Sequence, residues 1–493
     1  NCGVIRHQHG QFAVAVQLTR QAIGRKCEIG LAPLFQLIKC GHISDPANAR
    51  RQRRNRDQKG HDGDDACVQG VQHGARLGTK ACKGQRRRIL ANHIFGWHQT
   101  LMQTKTQSPI DPAFVQDPYP FYDTARSAGD WGTGDLFYWT DYDAVCAVSH
   151  AAVAACLKDK RMGREIPAEF APDIPAHIAP FYAVESHSML ELNPPRHTRL
   201  RGLVLRAFTS RRIAELEPEI TALCHQLIDQ FPSGEFDLLD AYARTVPVII
   251  IARLLGVPET RAQDLLAWSN AMVAMYVSGR TRAVEDKAVA ATENFVAFLR
   301  GFVDEKRQTP ADDLLSHLIA AEEDGEKLTT DELITTCILL LNAGHEATVH
   351  TLGNTVKTLL DRDIRAADAQ IVEEALRFDP PLHMFDRYVI EDCEVFGHAF
   401  KRGDTVKCLL GAANRDPVAY PDPNRFDPSR KGPVNVAFGG GIHFCVGAPL
   451  ARLELRVALQ VLFDRCPTIR LTAPPQYGDT YHFHGLDALH VRT

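Results

Sequence analysis

Apolar positions follow two regimes along this chain. From residue 211 to 305 they recur at the three-and-four spacing of amphipathic helices, which predicts helices over 213–231, 244–255, 259–277 and 283–307. From Thr330 to His350 the run is almost wholly apolar and predicts a long buried helix. Elsewhere the runs are short. Asp123–Gly129 reads as a short helix stopped by Gly129, Phe137–Asp143 as a strand and turn leading into a helix at 141–149, and Leu382–Val389 as an extended strand. Residues 165–190 show no period and are broken by prolines; so long an irregular stretch inside a domain is usually functional. The predicted class is mainly α with small β-sheets.

Polar groups interrupt this pattern in a few places that need a reason. Within the 330–350 helix lies Ala343-Gly344-His345-Glu346-Ala347-Thr348. Burying His and Glu is costly without partners, and Ala343-Gly344 removes side-chain bulk so that a flat molecule could lie against the backbone. His197 and Arg201 are four apart and share one helix face. That spacing suits either a carboxylate partner or a solvated basic face. Glu374 and Arg377, at i and i+3 just before Pro380-Pro381, form a pair that by spacing alone is a common surface feature.

The densest cluster is Phe438-Gly-Gly-Gly-Ile-His443-Phe-Cys445-Val-Gly447, running into Ala448-Pro-Leu-Ala-Arg-Leu-Glu454. Pro449 is tolerated in the first turn of a helix, so Cys445 sits just before a helix N-terminus, where dipole and free N–H groups favour a thiolate. The pattern F-x-x-G-x-H-x-C-x-G-x-x-L-A-R resembles the haem-ligand signature of cytochromes P450, with Phe438, Gly441, His443, Cys445, Gly447, Leu450, Ala451 and Arg452 all matching.

The resemblance spans about residues 117–493 and includes four ordered motifs. It implies the cytochrome P450 fold, with haem b between a long central helix and the Cys445 loop. It implies Cys445 as the iron ligand, and His197, Arg201, Arg387 and His443 as partners of the haem propionates. Ala343, Gly344, Phe438 and Gly447 would line the cofactor. Glu374 and Arg377 would be a buried pair that holds the fold. Residues 165–190 and the turn Tyr481–Gly485 would border the substrate pocket, and Trp268, Met272, Met275 and Tyr276 fit either that pocket or plain core. Glu346 and Thr348 stand where the family has an acid and an alcohol for proton delivery. Here the match departs: the residue directly after the acid is Ala347, and Thr348, one residue on, is turned by about 100° around the helix. Proton delivery is then expected to rest on Glu346, ordered water or a substrate hydroxyl.

The activity implied is insertion of one oxygen atom of O2 into a small organic substrate. The chain ends 48 residues after Cys445, so electrons are expected from a separate ferredoxin and an NAD(P)H-dependent ferredoxin reductase. Arg415, Arg425, Arg430, Lys431 and Arg452 are candidate docking charges. The rivals are a haem-thiolate peroxygenase, an isomerase or lyase, and a non-catalytic haem protein that binds a ligand.

Composition adds one correction to this picture. Hydrophobic content of 45% and charged content of 24% are ordinary, and the thirteen cysteines include no C-x-x-C, which argues against zinc ribbons and fused iron–sulfur clusters. No run approaches a membrane span, so a cytoplasmic monomer without membrane partners is expected. Residues 1–101, however, carry 17 Lys/Arg against 6 Asp/Glu and contain no Met or Tyr. Their cluster Arg50–Arg56 lacks the aromatic interleaving of a nucleic-acid arm, so no nucleic-acid partner is expected. Residues 1–101 are expected to be a disordered extension or not native coding sequence, with the haem-thiolate domain at 102–493.

Overall fold

A computed structural model describes residues 102–127, 134–277, 279–321, 325–478 and 481–493. The basic extension 1–101 and the helix stop at Gly129 lie outside the described residues. The strands that frame the site are β1 (Thr104–Lys105), β2 (Leu136–Trp139), β3 (Ala144–Ala147), β4 (Met162–Gly163), β5 (Met384–Val389) and β6 (Thr405–Leu409). The helices are α1 (Arg196–Ala207), α2 (Ala262–Val273), α3 (Arg282–Gln308), α4 (Thr330–Leu360), α5 (Ala369–Phe378) and α6 (Ala448–Arg465).

The near-continuous apolar run becomes α4, ten residues longer than its predicted end at His350. A capping box starts it: Thr329 Oγ1 accepts from Glu332 N–H at 3.2 Å, and the Glu332 carboxylate accepts from Thr329 N–H at 2.9 Å. Most of its residues are buried beneath α2, α3, α5 and α6, so apolar packing on all sides sets its position. The six strands form one sheet in the order β1-β2-β3-β6-β5-β4. Antiparallel pairing of β5 with β6 sets Arg387 opposite Val406 and Asp386 opposite Lys407.

Two boundaries differ from the sequence expectation. No helix forms at 141–149: Thr140–Tyr142 is a single 3-10 turn, Asp143 adopts a left-handed φ of 47°, and Ala144–Ala147 returns as β3. Pairing with aromatic-rich β2 overrides the helical propensity of the alanines, and the helix begins only at His150, where Ser149 caps Ala152 N–H at 3.1 Å. The predicted 213–231 helix is two, Ser210–Glu215 and Glu217–Asp229, because Pro218 starts a new first turn. The 283–307 helix is present as α3, and 259–277 as α2 flanked by short 3-10 turns.

Glu374 and Arg377 are both buried and joined by two hydrogen bonds of 2.7 Å. Arg377 also donates to the carbonyls of Asn414 (2.8 Å) and Pro423 (3.0 Å), and Glu374 accepts from Asp427 N–H at 2.7 Å. The pair therefore fastens α5 to the irregular segment that precedes the Cys445 loop.

Candidate haem-thiolate site

The Cys445 loop is shaped by its backbone. Gly439 and Gly441 adopt φ of 69° and 68°, and a Cβ on Gly441 would stand 2.3 Å from the carbonyl oxygen of Leu157. The loop can therefore lie against the 150–158 helix only with glycine at 441. Cys445 N–H donates to Phe438 O at 3.0 Å, closing the loop over the start of α6. Burial pushes the Cys445 thiol up; the N–H groups of Gly447 and Ala448, with the charges of Arg201 and Arg452, act in the opposite direction. These donors converge on the sulfur and favour its thiolate form. Arg452 lies over the Phe438 ring, 4.6 Å from its centroid, and pairs with Glu373.

Four cationic or donor side chains gather beside this loop from three separate elements. His197 and Arg201 lie on α1, Arg387 on β5 and His443 in the loop itself. The rings of His197 and His443 stand 4.2 Å apart between centroids, and Arg201 donates to Phe444 O at 2.7 Å. Among the described residues, neither ring nitrogen of buried His197 has a partner, nor has His443 Nε2. Arg387 is 1% exposed, and among the described residues its guanidinium donates to Asp386 O at 3.2 Å. Burial pulls Arg387 down to about 10 and His197 to about 4, and pulls His443 to about 2 with the help of His197 and the neighbouring arginines. Unpartnered imidazole nitrogens beside two arginines form a lining that the carboxylates of a haem would fit.

On α4, most of which is buried, Ala343 and Gly344 are exposed, and among the described residues a Cβ on Gly344 would meet nothing within 4 Å. The two residues form a shallow cradle of small groups. The Glu346 carboxylate is hydrogen-bonded to His350 Nε2 at 3.1 Å and lies 3.6 Å from His345 Nδ1. Burial pushes this carboxyl up, but the His350 hydrogen bond and the nearby His345 and Arg244 outweigh it, leaving Glu346 below the usual carboxylate range. Thr348 is buried and donates to Gly344 O at 2.8 Å, so its proton is committed to the helix backbone.

Sequence reasoning missed Arg164 and His350. Arg164 donates to Asp386 O at 2.8 Å and pairs with Glu191 at 2.6 Å, and its charge reaches Arg387 and His443. It lies next to an irregular stretch, where no periodicity could single it out. The i, i+4 spacing of Glu346 and His350 was a usable signal. Two of the expected docking charges are not surface groups. Arg415 is 6% exposed and donates to Phe378 O and Asn424 Oδ1, and Arg430 is held by the carbonyls of Pro421, Asp422 and Arg425. Both serve the packing around α5. Met272 and Met275 are in the core, whereas Tyr276 is exposed and donates to Glu185 at 3.0 Å.

Comparison with known proteins agrees with this geometry. The family model described as cytochrome P450 matches residues 167–363 and 369–475. The chain is 36% identical over 400 residues to cytochrome P450 monooxygenase PikC of Streptomyces venezuelae, covering 77% of this chain and 92% of that protein. It is 34% identical over 386 residues to 6-deoxyerythronolide B hydroxylase of Saccharopolyspora erythraea, covering 76% and 90%. Among solved structures, P450BioI in complex with an acyl carrier protein ligated to hexadec-9Z-enoic acid aligns with a TM-score of 0.71 at 31% identity, over 77% of this chain and 99% of that one. No helix among the described residues is long and apolar enough to cross a membrane.

Proposed function

The chain belongs to the cytochrome P450 family and is a monooxygenase of that family; from that premise we propose that Cys445 ligates the iron of haem b. The observation that carries this is the Cys445 loop, where backbone N–H groups converge on a sulfur beside two arginines and two imidazoles, three of whose ring nitrogens lack a partner among the described residues. His197, Arg201, Arg387 and His443 would hold the propionates, and Ala343, Gly344, Phe438 and Gly447 would bracket the ring. Haem bound by a thiolate supplies the activation of O2 and the oxygen transfer to a substrate.

The residues of the chain itself handle protons and position. Glu346 keeps an ionised carboxylate between His345 and His350, where it can pass protons toward the Ala343-Gly344 cradle. Thr348 cannot donate while its hydroxyl is bonded to Gly344 O, and Ala347 has nothing to donate. An ordered water or a hydroxyl of the substrate completes the path. The substrate is an organic molecule, free or tethered to a carrier; the relative that hydroxylates 6-deoxyerythronolide B and the carrier complex of P450BioI support that class. Electrons come from a ferredoxin and its NAD(P)H-dependent reductase, docking near exposed Leu205, Ile442, Arg425 and Lys431. Ala347 specifically favours a second reading, in which peroxide replaces O2 and reductant.

Two measurements on the full chain test these readings. The reduced, carbon-monoxide-bound protein should give a thiolate-type Soret band that Cys445→His abolishes; a band unchanged by that substitution removes Cys445 as ligand. Turnover with ferredoxin, reductase and NAD(P)H should exceed turnover with peroxide alone. The reverse order would establish the peroxide reading.

A further inference from the structure

Away from the Cys445 loop, two imidazoles and a carboxylate meet in the interior. Asp379 follows α5, His383 precedes β5, and His484 lies in the C-terminal hairpin. Their relative exposures are 6%, 0% and 1%. One nitrogen of each ring and one Asp379 oxygen come within 4.8 Å of one another, and the ring centroids are 4.5 Å apart. The backbone fixes this meeting. His484 N–H donates to Pro381 O at 2.7 Å, and His383 N–H donates to His482 O at 3.4 Å. Asn354 of α4 donates from its side chain to His484 O at 2.8 Å and to Asp379 O at 3.4 Å.

The protonation pattern leaves lone pairs unused. Tyr122 donates its hydroxyl hydrogen to Tyr481 at 2.8 Å, so the 2.9 Å contact of Tyr122 with His383 Nδ1 needs its hydrogen on the imidazole. Among the described residues, buried His383 Nε2 and His484 Nδ1 make no hydrogen bond of good geometry, although the His383 ring also faces the Pro380 carbonyl, and His484 Nε2 stands 3.7 Å from Asp379 Oδ1. Asp379 is oriented by Tyr119, 3.0 Å from Oδ1, and by Tyr477, 2.5 Å from Oδ2. Two phenol donors leave the carboxylate lone pairs to spare.

We propose that Asp379, His383 and His484 form a binding site for one divalent transition-metal ion, with zinc as the best match. Neutral imidazole with carboxylate is a zinc donor set, and the second ring nitrogen of His383 already has the outer partner that orients a ligand. Zinc bonds of about 2.0–2.2 Å place tetrahedral donors roughly 3.3–3.6 Å apart, so the trio closes by about one ångström on binding. A cleft of about 520 Å³ lined by Tyr119, Asp379, Arg415, Tyr477 and His484 gives an ion and its water access. Arg415 and Lys357 act against a cation here, but the Arg415 guanidinium is turned to Phe378 O and Asn424 Oδ1. The ion would staple the C-terminal hairpin to the end of α5 and to the start of β5. It is separate from any haem chemistry.

The test uses the full-length, haem-loaded protein, stripped with a chelator, incubated with zinc chloride and desalted. Elemental analysis should then find one zinc per chain beside the haem iron, with a higher Tm than the stripped protein. His383→Gln and His484→Gln should each lose the zinc and keep the iron. Iron alone in the wild type, or zinc retained in both variants, overturns the site. Should the variants fail to fold, anomalous scattering at the zinc edge from zinc-soaked wild-type crystals decides. A peak between the three side chains supports the site, and a peak elsewhere or none overturns it.

Discussion

The two walls proposed here for a haem cleft are built differently. The Cys445 wall is a contiguous loop whose conformation follows from glycines at fixed positions, and its donors come from its own backbone and the first turn of α6. The α4 wall is a regular helix whose chemistry rests on side chains, chiefly Glu346 with His345 and His350. The first wall keeps every matched position of its motif, while the second departs at Ala347. Backbone donors cannot be substituted away one at a time, whereas a side-chain proton path can be rerouted through a neighbour, water or the substrate itself. The difference predicts that damage to the first wall is absolute and damage to the second is graded.

The largest effect is expected at the sulfur. Cys445→Ala should abolish monooxygenase turnover and the thiolate-type Soret band, with far-ultraviolet circular dichroism preserved because the glycines and Arg452–Glu373 pairing remain. Residual turnover of the same order as wild type would erase the contrast between the walls. Next comes Glu346→Gln. It keeps the shape and the neighbour His350 but removes the ionised carboxylate, and general acid–base groups contribute about 10²- to 10⁴-fold. A drop in kcat of roughly 10²-fold, with ferric haem spectra and substrate-induced spin shift unchanged, is the expected result. A larger spin-shift defect than rate defect would mean that Glu346 positions the substrate.

Ala347→Thr should act more weakly. The introduced hydroxyl stands at the position the family motif gives to an alcohol, so product formed per NAD(P)H consumed should change by a few-fold. Thr348→Val, which removes a hydroxyl already bonded to Gly344 O, should leave that ratio alone. An unchanged ratio in Ala347→Thr with the true substrate would show that proton delivery is not limited at this position.

What the sequence disclosed follows the same division. Cys445, His443 and the glycines are legible because their chemistry needs fixed spacing within one short loop. The Glu374–Arg377 pair was legible as a motif, but its burial and its grip on the carbonyls of Asn414 and Pro423 were not, since those partners lie far along the chain. Asp379, His383 and His484 went unread for a related reason: a hairpin and a strand bring them together across a hundred residues, and no local period marks the meeting. The 141–149 segment misled because its alanines suit a helix, while the aromatic strand beside them supplies pairing partners visible only in three dimensions. Arg415 looked like a docking charge because it is basic and near the loop in sequence, yet it lies over the Phe378 ring at 3.6 Å with its donors satisfied inside.

The smallest expected effect probes the Cys445 wall from behind. Glu454 lies on α6, 3% exposed, and burial alone raises its carboxyl to about 8 from 4.5. The folded protein therefore keeps this group protonated between those two values, whereas the unfolded chain releases the proton. Unfolding is then favoured as pH rises through that window, by at most about 1.4 kcal/mol per pH unit. Glu454→Gln removes the titration and keeps a neutral side chain of the same shape. Its Tm should equal that of wild type near pH 4.5, exceed it increasingly as pH rises, and stop diverging above about 8. A constant Tm difference across that range would mean that Glu454 is ionised in the fold, held by a partner on α6 or its neighbours. The wall behind Cys445 would then rest on a buried charge in addition to its backbone donors and the charges of Arg201 and Arg452.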